Sequence, residues 1–139
     1  MQIRTVRNSL LLLSAAVSIA CCTLAAKCAM ADEPLSSEKP IPPLEWAYQG
    51  AAIADMMTTL DIKNHPNLQE ENVILGPHPS DGKVLAYFAA TGGLHYLITR
   101  ELVNGNAPKP LVSAWELIST SFEISYAAHN YSLGLRFKL

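Results

Sequence analysis

Between positions 44 and 130 the chain carries three blocks in which apolar and polar residues recur at helical spacing, separated by prolines and glycines. The first block predicts a helix over about 44–62, with no proline and one glycine. Positions 63–83 hold Pro66, Pro77, Pro79, Gly76 and Gly82, punctuation too dense for the helix to continue. Inside that loop Val73-Ile74-Leu75 forms a brief apolar patch, expected as one extended turn that packs down. Ser80 or Asp81 is placed to cap a second helix over 84–103. Asn104-Gly105-Asn106 ends it, with Gly or Asn supplying the left-handed residue that closes helices. Pro110 suits the first turn of a third helix over about 111–130. After it Leu133, Leu135, Phe137 and Leu139 alternate with Ser132, Gly134, Arg136 and Lys138, a strand-like rhythm. One such segment is too little for a β-barrel, which needs about eight strands. The expected fold class is therefore all-α, a three-helix bundle over 44–139 with a long Pro/Gly-rich loop between helices one and two.

The first 31 residues follow a different pattern. Arg4 and Arg7 precede an apolar stretch over 10–26 broken only by Ser14, Ser18 and Thr23, and Ala29-Met30-Ala31 stands before Asp32. A basic start, an apolar middle and small residues at the two positions a peptidase reads make a secretory signal, cleaved after Ala31. Two alternatives stay open: lipidation at Cys21, which follows Ser18-Ile19-Ala20, or retention of the segment as an anchor. Export is expected in each case, to the inner membrane of the cell envelope or to the periplasm. Positions 32–43, with four prolines and alternating charges, predict a tether.

Composition changes the picture in three ways. All three cysteines (Cys21, Cys22 and Cys28) lie in the signal, so cleavage at Ala31 leaves no disulfide, thiolate ligand or cysteine nucleophile. Of ten Lys and Arg residues only seven follow position 31, against twelve Asp and Glu, which argues against nucleic acid as a partner. Half of all residues are hydrophobic and 16% are charged, where about 25% is ordinary for a soluble domain. Each helix is about long enough to span a bilayer core of roughly 30 Å, although Asp55, Glu116 and Glu123 interrupt the apolar runs. Small-residue steps (Gly50 to Ala54, Ala86 to Ala90, Ala89 to Gly93) suit close helix packing. A three-span topology would put Lys63, Lys83, Arg136 and Lys138 inside and Lys39, Arg100 and Lys109 outside, the direction of the positive-inside rule by one charge. The expectation is a membrane-embedded bundle with transmembrane helices, in contact with membrane lipid and with a larger membrane protein. A soluble or lipid-anchored periplasmic domain, its carboxylates on a wet face, is the alternative.

Candidate chemistry rests on three stripes. Tyr48, Asp55 and Thr59 share one face of helix one; Phe88, Thr91, Gly92, His95 and Thr99 share one of helix two. Glu116, Thr120, Glu123, Ala127 and Asn130 share one of helix three. If the stripes turn inward, Asp55, Thr59, His95, Glu123 and Asn130 meet in a buried polar cluster, suited to ion or proton handling. The sequence assigns no metal or cofactor: His65, His78, His95 and His129 are scattered, with no His pair at i, i+4. Only a convergence of His95 with Asp55 and Glu123 would supply ligands, and the two loop histidines are expected at the surface. Ser80, Ser113 and Ser125 lie in no nucleophile-elbow sequence, and Gly92-Gly93 sits mid-helix, where backbone N–H groups are not free for a phosphate.

Several of these residues also carry a resemblance. Asp55 with Thr58-Thr59, Glu71-Asn72, the string Leu75-Gly76-Pro77-His78-Pro79-Ser80, His95-Tyr96, Trp115, Glu123, Asn130 and Gly134 resemble a group of small uncharacterised bacterial and phage-borne helical membrane proteins. The likeness covers about 44–137; members commonly place Pro after the loop Asn, where this chain has Val73. It implies a compact helical bundle with a polar motif at the first loop and brings no known reaction. The functional expectation is a structural or protein-interaction role. A soluble domain is the first alternative, and an ion- or proton-handling protein or enzyme using Asp55, His95 and Glu123 is the second.

Overall fold

The computed structural model describes residues 39–137 together with the backbone of Arg4–Val6. The cleavage residues Ala29 and Ala31, the lipidation candidate Cys21 and most of the tether lie outside the described residues. Three helices dominate: α1 over Pro43–Leu60, α2 over Asp81–Asn104 and α3 over Lys109–Ser132. α2 and α3 run past both expected ends, whereas α1 starts one residue early and stops at Leu60, two residues short, where a 3-10 turn takes over. Proline in the first turn of α1 and of α3 accounts for their early starts, since a first-turn N–H has no helical partner to lose. The α2 start is set by Ser80, whose hydroxyl accepts from the Lys83 backbone N–H. Between α2 and α3 the left-handed residue is Asn106, at φ 57°, and not Gly105.

No described helix is long and apolar enough to cross a membrane. This corrects the expectation of transmembrane helices and of the membrane label built on it. Glu45 and Asp55 interrupt α1, and Glu116 and Glu123 interrupt α3. The uncharged middle of α2 is largely Ala, Gly, Thr, Tyr and His, too weakly apolar to compensate.

The connection from α1 to α2 is ordered. A 3-10 turn over Asp61–Asn64 follows α1, and a three-residue strand, Leu68–Glu70, pairs in parallel with Arg4–Val6. Asn72 then organises the loop. Its side-chain oxygen accepts from the Ile74 N–H, its own N–H donates to Glu70, and its carbonyl accepts from Gly76, which stands at φ 76°. Of the apolar patch only Leu75 packs down, while Val73 and Ile74 are exposed. His65 is half-buried against Asp61 rather than free at the surface.

Two small apolar clusters lie at the loop end of the bundle. Tyr48, Ala52, Leu75, Val84 and Phe88 form one, and Ile62, Leu68 and Leu135 the other. The second explains why the alternating tail forms no strand among the described residues. Leu135 is fully buried against Ile62 and Leu68, and the Arg136 N–H donates to the Asp61 carboxylate at 3.0 Å. Tail and loop are thus tied together by one apolar and one polar contact. Replacing Leu135 by Ala is expected to cost about 2–3 kcal/mol in denaturant unfolding, at the low end for a buried Leu because the cluster is small. A change below 0.5 kcal/mol would show that the tail does not help hold the fold.

Candidate functional site

The helices turn their polar stripes inward. Among the described residues twelve polar or charged side chains are buried against ten apolar ones, while Trp46, Ile53, Leu85, Leu97, Leu111 and Ile118 are exposed. Helical spacing puts Glu45, Tyr48, Asp55 and Thr59 on one side of α1 and Glu116, Thr120, Glu123 and Asn130 on one side of α3. The result is a polar column between α1 and α3, with α2 closing it at one end.

At that end the centre is His95 of α2. Its Nδ1 lies 2.9 Å from Glu45 Oε2 and its Nε2 shares a 2.8 Å hydrogen bond with the Ser119 hydroxyl. The ring is stacked between Tyr48, at 3.5 Å and 11°, and Trp115, at 4.7 Å and 17°. Gln49 donates to Glu45 Oε1 at 2.6 Å and to the Gly92 carbonyl at 3.0 Å. A Cβ at Gly92 would stand 2.9 Å from Gln49 Oε1, so a side chain there displaces the glutamine. Thr99 donates to Glu116 Oε1 at 2.8 Å and accepts from the Trp115 indole N–H at 3.1 Å. Glu45 and Glu116 are both completely buried.

The other end is built on Asp55. Asn130 donates from its amide to Asp55 Oδ1 at 2.9 Å and to Thr58 Oγ1 at 3.0 Å, and Thr58 donates to the Asp55 carbonyl. Glu123 lies between the two ends, half-buried, and acts electrostatically on Asp55 and Tyr48. Several buried oxygens find no hydrogen-bond partner: Thr59 Oγ1, Thr120 Oγ1, Glu123 Oε2, Asn130 Oδ1 and Glu116 Oε2.

Burial governs the titration of these groups, because it disfavours a charged carboxylate. It pushes Asp55 well above the usual range, with Glu123 and Glu70 adding to the rise. It pushes Glu123 up to about 7. Glu116 also rises through burial; the Thr99 hydrogen bond opposes this, while the facing Glu45 adds to it. At Glu45 burial acts upward too, but hydrogen bonds, chiefly from His95 and Gln49, outweigh it and hold this carboxyl below its ordinary value. The Tyr48 phenol is pushed up by burial and by the carboxylates around it.

The five residues expected to meet are thus divided. Asp55 and Asn130 are bonded, Thr59 is buried on the Asp55 stripe, and Glu123 stands within electrostatic reach; His95 belongs to the opposite end, with Glu45. Sequence reasoning missed Glu45, Gln49, Ser119 and the role of Glu116 as a partner of Thr99. The signal for Glu45 was present, since it stands three residues before Tyr48 and extends the same stripe. Ser119 is not a nucleophile in waiting: it lies mid-helix, donates to the Trp115 carbonyl at 2.7 Å, and neighbouring backbone N–H groups are engaged in the helix. Comparison with protein-family models, with curated proteins and with solved structures finds no match for this chain.

Replacing Asn130 by Ala removes the donor to Asp55 and is expected to destabilise the fold by about 1–3 kcal/mol. Asn130→Asp should be at least as costly near neutral pH, since it sets a second carboxyl against the first. Thermal melts in which Asn130→Ala matches the parent would show that this contact is dispensable.

Proposed function

We propose that this protein is a cation-binding helical module, whose interior takes up protons or a metal ion between its helices. One observation carries the reading. Four carboxylates (Glu45, Asp55, Glu116 and Glu123) are drawn into the helix interfaces with a single imidazole among them, and no Lys or Arg is buried among the described residues. Buried anions without fixed counter-charge must take a cation or a proton. The signal-like start supports an exported setting for this activity.

Proton uptake has a signed consequence. Glu123 in the folded state titrates near 7, above its ordinary value of 4.5, so between those values the folded chain binds protons that the unfolded chain has released. The stability that Glu123 contributes is full below about 4.5 and is lost as pH rises through 7. Asp55 acts in the same direction, and the groups facing this pair from other elements (Glu70 of the strand and Tyr87 of α2) are themselves acidic. Glu45, held below its ordinary value, acts oppositely, and its contribution is lost in acid. Urea unfolding of the full chain is expected to lose on the order of 2 kcal/mol between pH 5 and pH 8. Glu123→Gln should flatten the slope, and Asp55→Asn should raise stability at pH 8. A parent slope that survives both substitutions would refute proton uptake by these groups.

A second reading, a structural or interaction role beside a larger protein, is favoured by the apolar side chains left on the outer surface. Leu111 and Ile118 share one outward strip of α3, and both are more than half exposed. Replacing both by Glu is expected to leave the melting temperature nearly unchanged and to reduce self-association seen by light scattering. A collapse in stability would mean that these residues belong to the core, and this reading would fall.

A further inference from the structure

We infer that Glu45, His95 and Glu116 form a binding site for one divalent transition-metal ion of the zinc or ferrous class. The ligand atoms would be His95 Nδ1 and one oxygen from each glutamate. The inference rests on the cation-binding reading and names the ion class and the residues that hold it.

Convergence comes first. One ligand atom from each of the three residues lies within 4.8 Å of the other two, and all three residues are buried. Metal–ligand bonds of about 2.0–2.2 Å hold neighbouring ligands roughly 3–4 Å apart, so small side-chain rotations close the site. The second observation is independent of the clustering. Glu116 Oε2 is fully buried and has no hydrogen-bond partner, although its other oxygen is held by Thr99. A buried carboxylate oxygen without a donor costs free energy that an ion at this point would remove.

The surrounding bonds are arranged as an outer shell. Gln49 holds Glu45 Oε1 and Thr99 holds Glu116 Oε1, so one oxygen of each glutamate is anchored while the other is left to the centre. His95 is fixed in the same way. With Nδ1 on an ion, its Nε2–H donates to Ser119 Oγ, whose own hydrogen goes to the Trp115 carbonyl. A histidine ligand that donates its second ring N–H has its tautomer and orientation set for coordination. Stacking between Tyr48 and Trp115 holds the ring plane. The donor set selects the ion class. An imidazole with two carboxylates and no thiolate suits zinc or ferrous iron, whereas calcium and magnesium favour oxygen alone. Two carboxylates against a neutral imidazole carry a charge that a divalent ion cancels.

The test is equilibrium dialysis of the full chain with Cys21, Cys22 and Cys28 replaced by Ser, stripped with chelator, against zinc chloride, with cobalt(II) absorption as a coordination readout. One equivalent of zinc is expected, with a visible cobalt spectrum. Glu116→Gln should weaken binding at least 10-fold without loss of the circular-dichroism signal, and Ser119→Ala should weaken it about 10-fold. Asp55→Asn, and joint replacement of His65, His78 and His129 by Gln, should leave the stoichiometry at one. Zinc retained at full affinity by Glu116→Gln, or lost with the three other histidines, overturns the assignment. A different outcome is a parent that takes no zinc while its Glu123-dependent pH slope stands. The metal inference is then refuted and the cation reading is kept. Stoichiometric zinc without that slope refutes proton uptake alone.

Discussion

One imidazole holds the three helices in register. His95 reaches α1 through Glu45 and Tyr48 and reaches α3 through Ser119 and Trp115, using both ring nitrogens and both ring faces. A one-residue rotation of any helix turns its side chains by about 100°, which would break at least two of these contacts. Apolar packing alone tolerates such slippage, since one aliphatic side chain replaces another at little cost. A buried polar network does not, because each group that loses its partner remains desolvated. Gln49 extends the same constraint to Gly92, where only the absence of a side chain lets the amide reach both the backbone carbonyl and Glu45.

That constraint accounts for an unusual distribution of residue types. Half of the chain is hydrophobic, yet the buried set of the described residues contains more polar side chains than apolar ones. The apolar clusters gather toward the loop end, where Leu75 and Leu135 pack down, while Ile53, Leu85, Leu97, Leu111 and Ile118 are exposed. Hydrophobic burial therefore secures the loop and the tail, while hydrogen bonding and stacking set the helix pairing along the column. Polar residues spread along each helix to serve the interior also keep the helices from forming an unbroken apolar run.

Helix number, approximate ends and the inward stripes were legible because 3.6-residue spacing leaves a direct trace in the sequence. The cap and the chain-stop were legible as short sets for the same local reason, Ser80 or Asp81 and the run Asn104-Gly105-Asn106, and the structure uses Ser80 and Asn106. The ends of the polar column were not. Spacing shows that Asp55 and His95 face inward but not at what height each neighbouring helix crosses them, so His95 was grouped with Asp55 instead of Glu45. The tail misled in a similar way. Its alternation is real, but Leu135 finds its partners in Ile62 and Leu68, more than sixty residues earlier, and no local pattern encodes that contact. The expectation of membrane-crossing helices failed because helix length and overall greasiness do not reveal the weak hydropathy of Ala, Gly and Thr in α2.

The two ends of the column are chemically unlike, and that difference bears on how they interact. Around His95 one oxygen of each glutamate and a ring nitrogen converge; around Asp55 the Asn130 carboxamide donates to the carboxyl, the Thr58 hydroxyl donates to the backbone carbonyl, and burial disfavours the ionised form. Glu123 lies between them and shares Tyr48 with both, since the carboxylates of each end act on that phenol. On the proposed cation-binding reading, a cation held at the His95 end would favour ionised carboxyls near it, and protons held at the Asp55 end would oppose its arrival. Such coupling is reciprocal by thermodynamic necessity, whichever ligand arrives first. A column with fixed positive charge inside it would lack this property, because its carboxylates would already be neutralised. The absence of buried Lys and Arg among the described residues is what, on that reading, would leave the interior open to cations from outside.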